Sequence, residues 1–94
     1  PGVDALLIGT NDLCMELNIP GQLDHPSIIK AYEATISACK KNDKYVGMGG
    51  IYSPDLIEKY VTMGVQMVLG GSDLGLMISA GKDQTAKIRN MIKP

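Results

Sequence analysis

Residues 4–22 read DALLIGTNDLCMELNIPGQ, and the rhythm of the chain changes inside them at Gly9-Thr10-Asn11-Asp12. Before that border Val3 to Ile8 (VDALLI) is almost wholly apolar and has a glycine on each side, the pattern of a strand covered on both faces, as in parallel sheets. After it the apolar residues resume at helical intervals. An acid at such a border is a candidate for chemistry, because barrels and open α/β sheets place their sites at the C-terminal ends of the strands. A carboxylate there can ligate a hard cation, with Gly9 letting the backbone approach a ligand closely. Equally, Asp12 can cap a short helical turn over Leu13 to Leu17.

Downstream, the same alternation of strand and helix recurs. Pro20-Gly21 sits in a polar loop, and His25-Pro26 opens a helix in which Ile28, Tyr32, Ile36 and Cys39 form one stripe ending near Asn42. Tyr45 to Met48 is a second strand, followed by Gly49-Gly50. Ser53-Pro54-Asp55 caps a second helix with Leu56, Ile57, Tyr60 and Val61 inward, and Gly64 stops it. Val65 to Leu69 (VQMVL) is a third strand, closed by Gly70-Gly71. Ser72-Asp73 then caps a last helix whose apolar positions are Leu74, Met77, Ile78, Ile88, Met91 and Ile92, with Gly75 and Gly81 weakening its first half. Gly2-Val3 through Asp12 and Gly64-Val65 through Asp73 echo each other as repeated strand-to-helix units.

Repeated βα units build either an open doubly wound sheet or a (β/α)8 barrel. Three strands cannot close a barrel. A whole barrel takes about 250 residues, so three of its eight units come to roughly this length. The α/β chain therefore reads as the last third of a TIM barrel, with residues 1–94 forming the C-terminal part of a single domain. Its opening without Met, almost at once in a core strand, fits a piece of something longer.

Composition narrows the function. The 94 residues are 45% hydrophobic and 20% charged, with a formal net charge of -1, the balance of a soluble globular chain. Nine basic residues face ten acidic ones, and Trp and Phe are absent, so neither the basic stripe nor the stacking platform of a nucleic-acid binder exists. No apolar run approaches a membrane span, and no signal-peptide pattern opens the chain. Cys14 and Cys39 show no metal or redox spacing and read as packed free thiols, which points to the cytoplasm. The six methionines read as core filling.

Beyond Asp12 the candidates are weaker. Asp73 favours capping, and Gly70-Gly71-Ser72 offers a phosphate cradle without a lysine. His25 fits a helix start better than catalysis. Gly49-Gly50 leaves open space at the sheet edge or supplies a turn needing positive φ.

Taken together, GVDALLIGTNDLCMELNIPGQLDHPSI, VGMGGI and GVQMVLGGSDLGLM resemble the HpcH/HpaI aldolase family, citrate lyase-like class II aldolases of 2-oxo acids. The matching elements are Val3-Asp4, Ile8-Gly9, Thr10-Asn11, Asp12-Leu13, Gly21 and His25-Pro26, in order. The resemblance implies a (β/α)8 barrel in which Asp12 binds Mg2+, Mn2+ or Co2+. The ion chelates a pyruvate-like 2-oxo acid and stabilises its enolate while a 4-hydroxy-2-oxo acid is cleaved or formed.

By the same resemblance the amides of Asn11 and Asp12 hold the substrate carboxylate, Gly9 and Thr10 shape the turn, and Gly49 stands where relatives present an aliphatic side chain to the aldehyde. The family's second metal-binding Glu, its Arg and its His base lie on segments that this chain does not contain, so no catalytic residue is assigned here and the isolated chain is expected to be inactive. The family forms hexamers in which the last helix packs on a neighbouring subunit, giving Leu74, Met77 and Ile78 a partner surface. Two other readings compete: a non-catalytic scaffold relative, and a phosphate-binding barrel half using Gly70-Gly71-Ser72.

Overall fold

The computed structural model describes residues 1–92. Seven elements follow in order: β1 Ala5–Gly9, α1 Thr10–Glu16, α2 Pro26–Lys41, β2 Tyr45–Gly49, α3 Pro54–Met63, β3 Met67–Val68 and α4 Asp73–Met91. The strands form one parallel sheet in the order β1-β2-β3. Leu7 pairs with Gly47 and Gly47 with Met67, while Gly9 pairs with Gly49. All three strands therefore end at a common edge.

Local chemistry explains the helix bounds. His25 is the N-cap of α2, where its Nδ1 accepts the Ser27 N–H at 3.1 Å and Pro26 occupies the first turn, a position that needs no N–H. Contrary to the expected cap, Ser53 stands at the N-cap position of α3 but makes no side-chain cap bond, and Gly64 ends that helix with φ 132°. Ser72 caps α4, its Oγ accepting the Gly75 N–H.

The core lies on one face of the sheet, under α1, α2 and α3. Cys14, Ile28, Tyr32, Met48, Ile51, Tyr60 and Val65 form it. The rings of Tyr32 and Tyr60 stack with centroids 4.1 Å apart, in the range where aromatic pairs add to area burial. Both cysteines are buried and free, as their spacing predicted.

Several expectations need correction. The first strand is not covered on both faces: Leu7 is exposed on the face that no described element covers, and Leu6, on the helix side beside buried Val46, is exposed too because β1 lies at the edge of the sheet. Val61, placed inward from its spacing, is exposed. Met48 is buried, but Met15, Met67, Met77 and Met91 are exposed, so most of the methionines do not fill this core. The third strand is shorter than VQMVL, although Gln66 and Leu69 still donate to Val46 and Met48 carbonyls at 2.9 Å.

No residue of α4 is buried. The helix runs away from the rest, and the molecule extends 62 × 28 × 21 Å with a radius of gyration of 17.3 Å, against about 12 Å for a compact chain of this length.

Candidate functional site

The common strand edge assembles the residues singled out above. Gly9 ends β1 and serves as the N-cap of α1, with no side-chain cap bond. Asp12 therefore does not cap this helix. It stands exposed in the first turn, and its Oδ2 is 3.4 Å from where a Cβ on Gly9 would project. The first-turn amides of α1 have no intrahelical partners, so Asn11 and Asp12 present N–H groups beside that carboxylate.

Thr10 is buried and fully committed. Its Oγ1 donates to the Gly49 carbonyl at 2.8 Å and lies 2.6 Å from Tyr32 Oη. One hydroxyl carries one proton, so the Tyr32 hydroxyl must donate to Thr10. Tyr60, stacked on Tyr32, donates to the Leu23 carbonyl at 2.6 Å. A chain of contacts thus runs from the 17–25 loop through two rings to the ends of β1 and β2. Burial pushes both phenols up, Tyr60 to about 12 with Tyr32, Asp24 and Cys14 adding; both stay neutral donors at neutral pH.

Asn11 makes a second tie between the same strand ends, its Nδ2 donating to the Gly50 carbonyl at 3.1 Å. Gly50 has φ 81°, and a Cβ there would lie 2.7 Å from Asn11 Nδ2. The positive φ favours glycine, and a side chain there would also displace Asn11 from its bond. Gly49 differs, because the space above it is partly filled: its Cβ would meet Leu69 Cδ1 at 3.3 Å.

Other candidates resolve as structure. Asp73 Oδ1 accepts the Leu74 N–H at 2.8 Å and Ser72 Oγ accepts the Gly75 N–H at 3.1 Å, so two of the first-turn donors that a phosphate would use at α4 are already occupied. A cavity of about 390 Å³ nevertheless opens between Tyr52 and Gly70-Gly71-Ser72. His25 acts as a cap. Among the described residues no three His, Cys, Asp or Glu side chains cluster as a metal site, so Asp12 belongs to no such cluster here. Leu69 and the Tyr32–Thr10 tie were missed by the sequence reading. The only signals, Tyr32 in a helical stripe and Leu69 before a Gly pair, reveal nothing without strand register.

Parallel βα units with polar residues gathered at the strand C-termini define an α/β protein, a class in which ligand sites lie on that edge. Residues 1–80 match the HpcH/HpaI aldolase/citrate lyase family, and the chain belongs to it. It is 31% identical over 84 residues to 4-hydroxy-4-methyl-2-oxoglutarate aldolase cghB of Chaetomium globosum, covering 87% of this chain and 31% of that protein. It is 33% identical to 5-keto-4-deoxy-D-glucarate aldolase of Klebsiella pneumoniae, covering 84% of this chain and 30% of that one. Among solved structures, an HpcH/HpaI aldolase from Desulfitobacterium hafniense superposes with a TM-score of 0.79 at 27% identity, covering 99% of this chain and 35% of that one. A family member from Burkholderia cenocepacia gives 0.83 at 25%, covering 95% and 34%. The chain thus spans about a third of the length of the relatives it matches. No helix among the described residues is long and apolar enough to cross a membrane.

Proposed function

We propose that these residues are the C-terminal three βα units of a (β/α)8 barrel, and that the complete protein is a metal-dependent aldolase acting on 4-hydroxy-2-oxo acids. The observation that carries this is Asp12: in a chain of an aldolase family, its carboxylate stands exposed at the strand edge, uncommitted to a cap, beside a glycine and first-turn amides. Aldolase names among the relatives support the same class.

In this reading Asp12 contributes one ligand to a divalent cation, and Asn11 and Asp12 amides receive the substrate carboxylate. Thr10 and Gly9 hold the turn. Cleavage breaks the C3–C4 bond: the C4 hydroxyl gives up its proton and becomes the aldehyde carbonyl, the bond's electron pair passes to the pyruvate part, and protonation at C3 completes pyruvate. A cation bound at Asp12 would supply positive charge where negative charge gathers on the keto oxygen. The remaining ligands and the proton-transfer groups come from outside these residues, so the 94-residue chain alone is inactive. The phosphate reading is weaker because Ser72 and Asp73 already satisfy the start of α4.

The assembly is a homo-oligomer in the same proposal, supported by the apolar positions of α4 that nothing in the described chain covers. In the complete protein, Asp12→Ala should lower metal-dependent aldol turnover by about 100-fold or more with the fold intact by circular dichroism. Turnover that survives both this substitution and a chelator rejects the assignment.

A further inference from the structure

The face of the sheet turned away from the helices carries two rows of very different content. In the lower row Leu7, Gly47 and Met67 are in register, and a Cβ on Gly47 would lie 2.8 Å from both Leu7 Cδ1 and Met67 Cε. Two long side chains therefore meet across the central glycine and fill that level. One pleat higher, Gly9 pairs with Gly49. The third position of this row is Leu69, two residues beyond Met67 and so on the same face. Its N–H donates to the Met48 carbonyl at 2.9 Å, which keeps it in the ladder although β3 ends at Val68.

This upper row contains two glycines and one leucine. Leu69 leans over the bare backbone of Gly49, with Cδ1 at 3.3 Å and Cγ at 3.9 Å from the missing Cβ position, and remains 47% exposed. Gly9, across the same gap, sits directly under the Asp12 carboxylate. A small apolar wall and a carboxylate thus share one rim, separated by two strand spacings, about 10 Å.

We propose that Leu69 is the specificity-determining residue of the acceptor site: its isobutyl group packs against the substituent of the aldehyde and limits that substituent to a short chain. The inference rests on the aldolase reading, in which the 2-oxo acid end of the substrate lies at Asp12 and its aldehyde half reaches across the two glycines. Gly49 is then glycine because Leu69 occupies the space a side chain would need.

The test uses the complete protein with Mg2+ or Mn2+ and two readouts. Exchange of pyruvate methyl protons in D2O needs no aldehyde and reports the enolising half-reaction. Aldol addition to acetaldehyde and to butanal reports the acceptor site. Leu69→Ala should leave exchange within about 2-fold and shift the kcat/KM ratio at least about 10-fold toward butanal, the scale on which apolar pockets discriminate chain length. Leu69→Phe should shift it the other way, and Leu69→Met should restore the original ratio. Gly49→Ala should impair aldol addition more than exchange, and Gly49→Ala with Leu69→Ala should recover it. Intact exchange with an unchanged aldehyde ratio in both the Ala and Phe variants overturns the role of Leu69 alone. A native protein that exchanges no pyruvate protons with metal present overturns the aldolase reading and this inference with it.

Discussion

Thr10 shows how little a residue's type says about its work. It stands between Gly9 and Asn11 at the start of α1, in a polar stretch of sequence, yet its hydroxyl is buried and joins Tyr32 to the Gly49 carbonyl. Removing the hydroxyl takes the acceptor from the buried Tyr32 O–H and a donor from the buried Gly49 carbonyl. Thr10→Val, which keeps the shape, should cost about 2 kcal/mol, and Thr10→Ser should recover most of it. Denaturant titration checks this, and a valine variant within about 0.5 kcal/mol of the native protein would mean that the tie holds nothing. The polar character of Thr10 was legible in the sequence; its partners, 22 and 39 positions away, were not. Asp12 was legible in place, at the end of an apolar run. Its freedom from capping appeared only with the N-terminus of α1 in view.

At the scale of elements, periodicity placed the three strands and the three longer helices to within a few residues, while α1 was legible only as an alternative turn over Leu13 to Leu17; stripe spacing and Pro or Gly punctuation are local properties. Gly64 is such a mark. It ends α3 at φ 132°, and an added Cβ would lie 2.9 Å from Ile36 Cγ2 on α2. Gly64→Ala should therefore lower stability by more than about 1 kcal/mol, seen as a lower denaturation midpoint with unchanged slope. A neutral result would show that the α3–β3 turn relaxes freely. What periodicity misjudged were elements whose cover lies elsewhere: the two-residue β3, the exposed face of β1, and Val61. An apolar residue announces that it wants burial, not where its partner is.

For the whole molecule, the unequal halves of the structure carry the information. One face of the sheet is packed under three helices, while Leu7, Met67 and Leu69 on the other and Leu74, Met77 and Ile78 on α4 remain exposed. On the barrel reading the first group faces the interior of a closed sheet, and the second faces another subunit. Replacing Leu74, Met77 and Ile78 together with Ser should convert the complete protein to a smaller species in light scattering at micromolar concentration, without loss of secondary structure. An unchanged oligomeric mass would remove α4 from the interface.

By itself the sequence determined the alternation of strand and helix, the parallel character of the sheet, the edge at which polar residues gather, and membership of an aldolase-like class. The first three follow from the spacing of apolar residues and from the turn chemistry of Gly, Pro, Ser and Asp, all local along the chain, whereas the class rests on the resemblance of whole ordered motifs to a known family. Only the tertiary structure decided that Thr10 and Asn11 tie two strand ends together, that Asp12 is free, and that Leu69 fills the place left by Gly49. Those facts depend on register and on which side chains converge across 20 to 60 residues, a consequence of packing that no local pattern encodes.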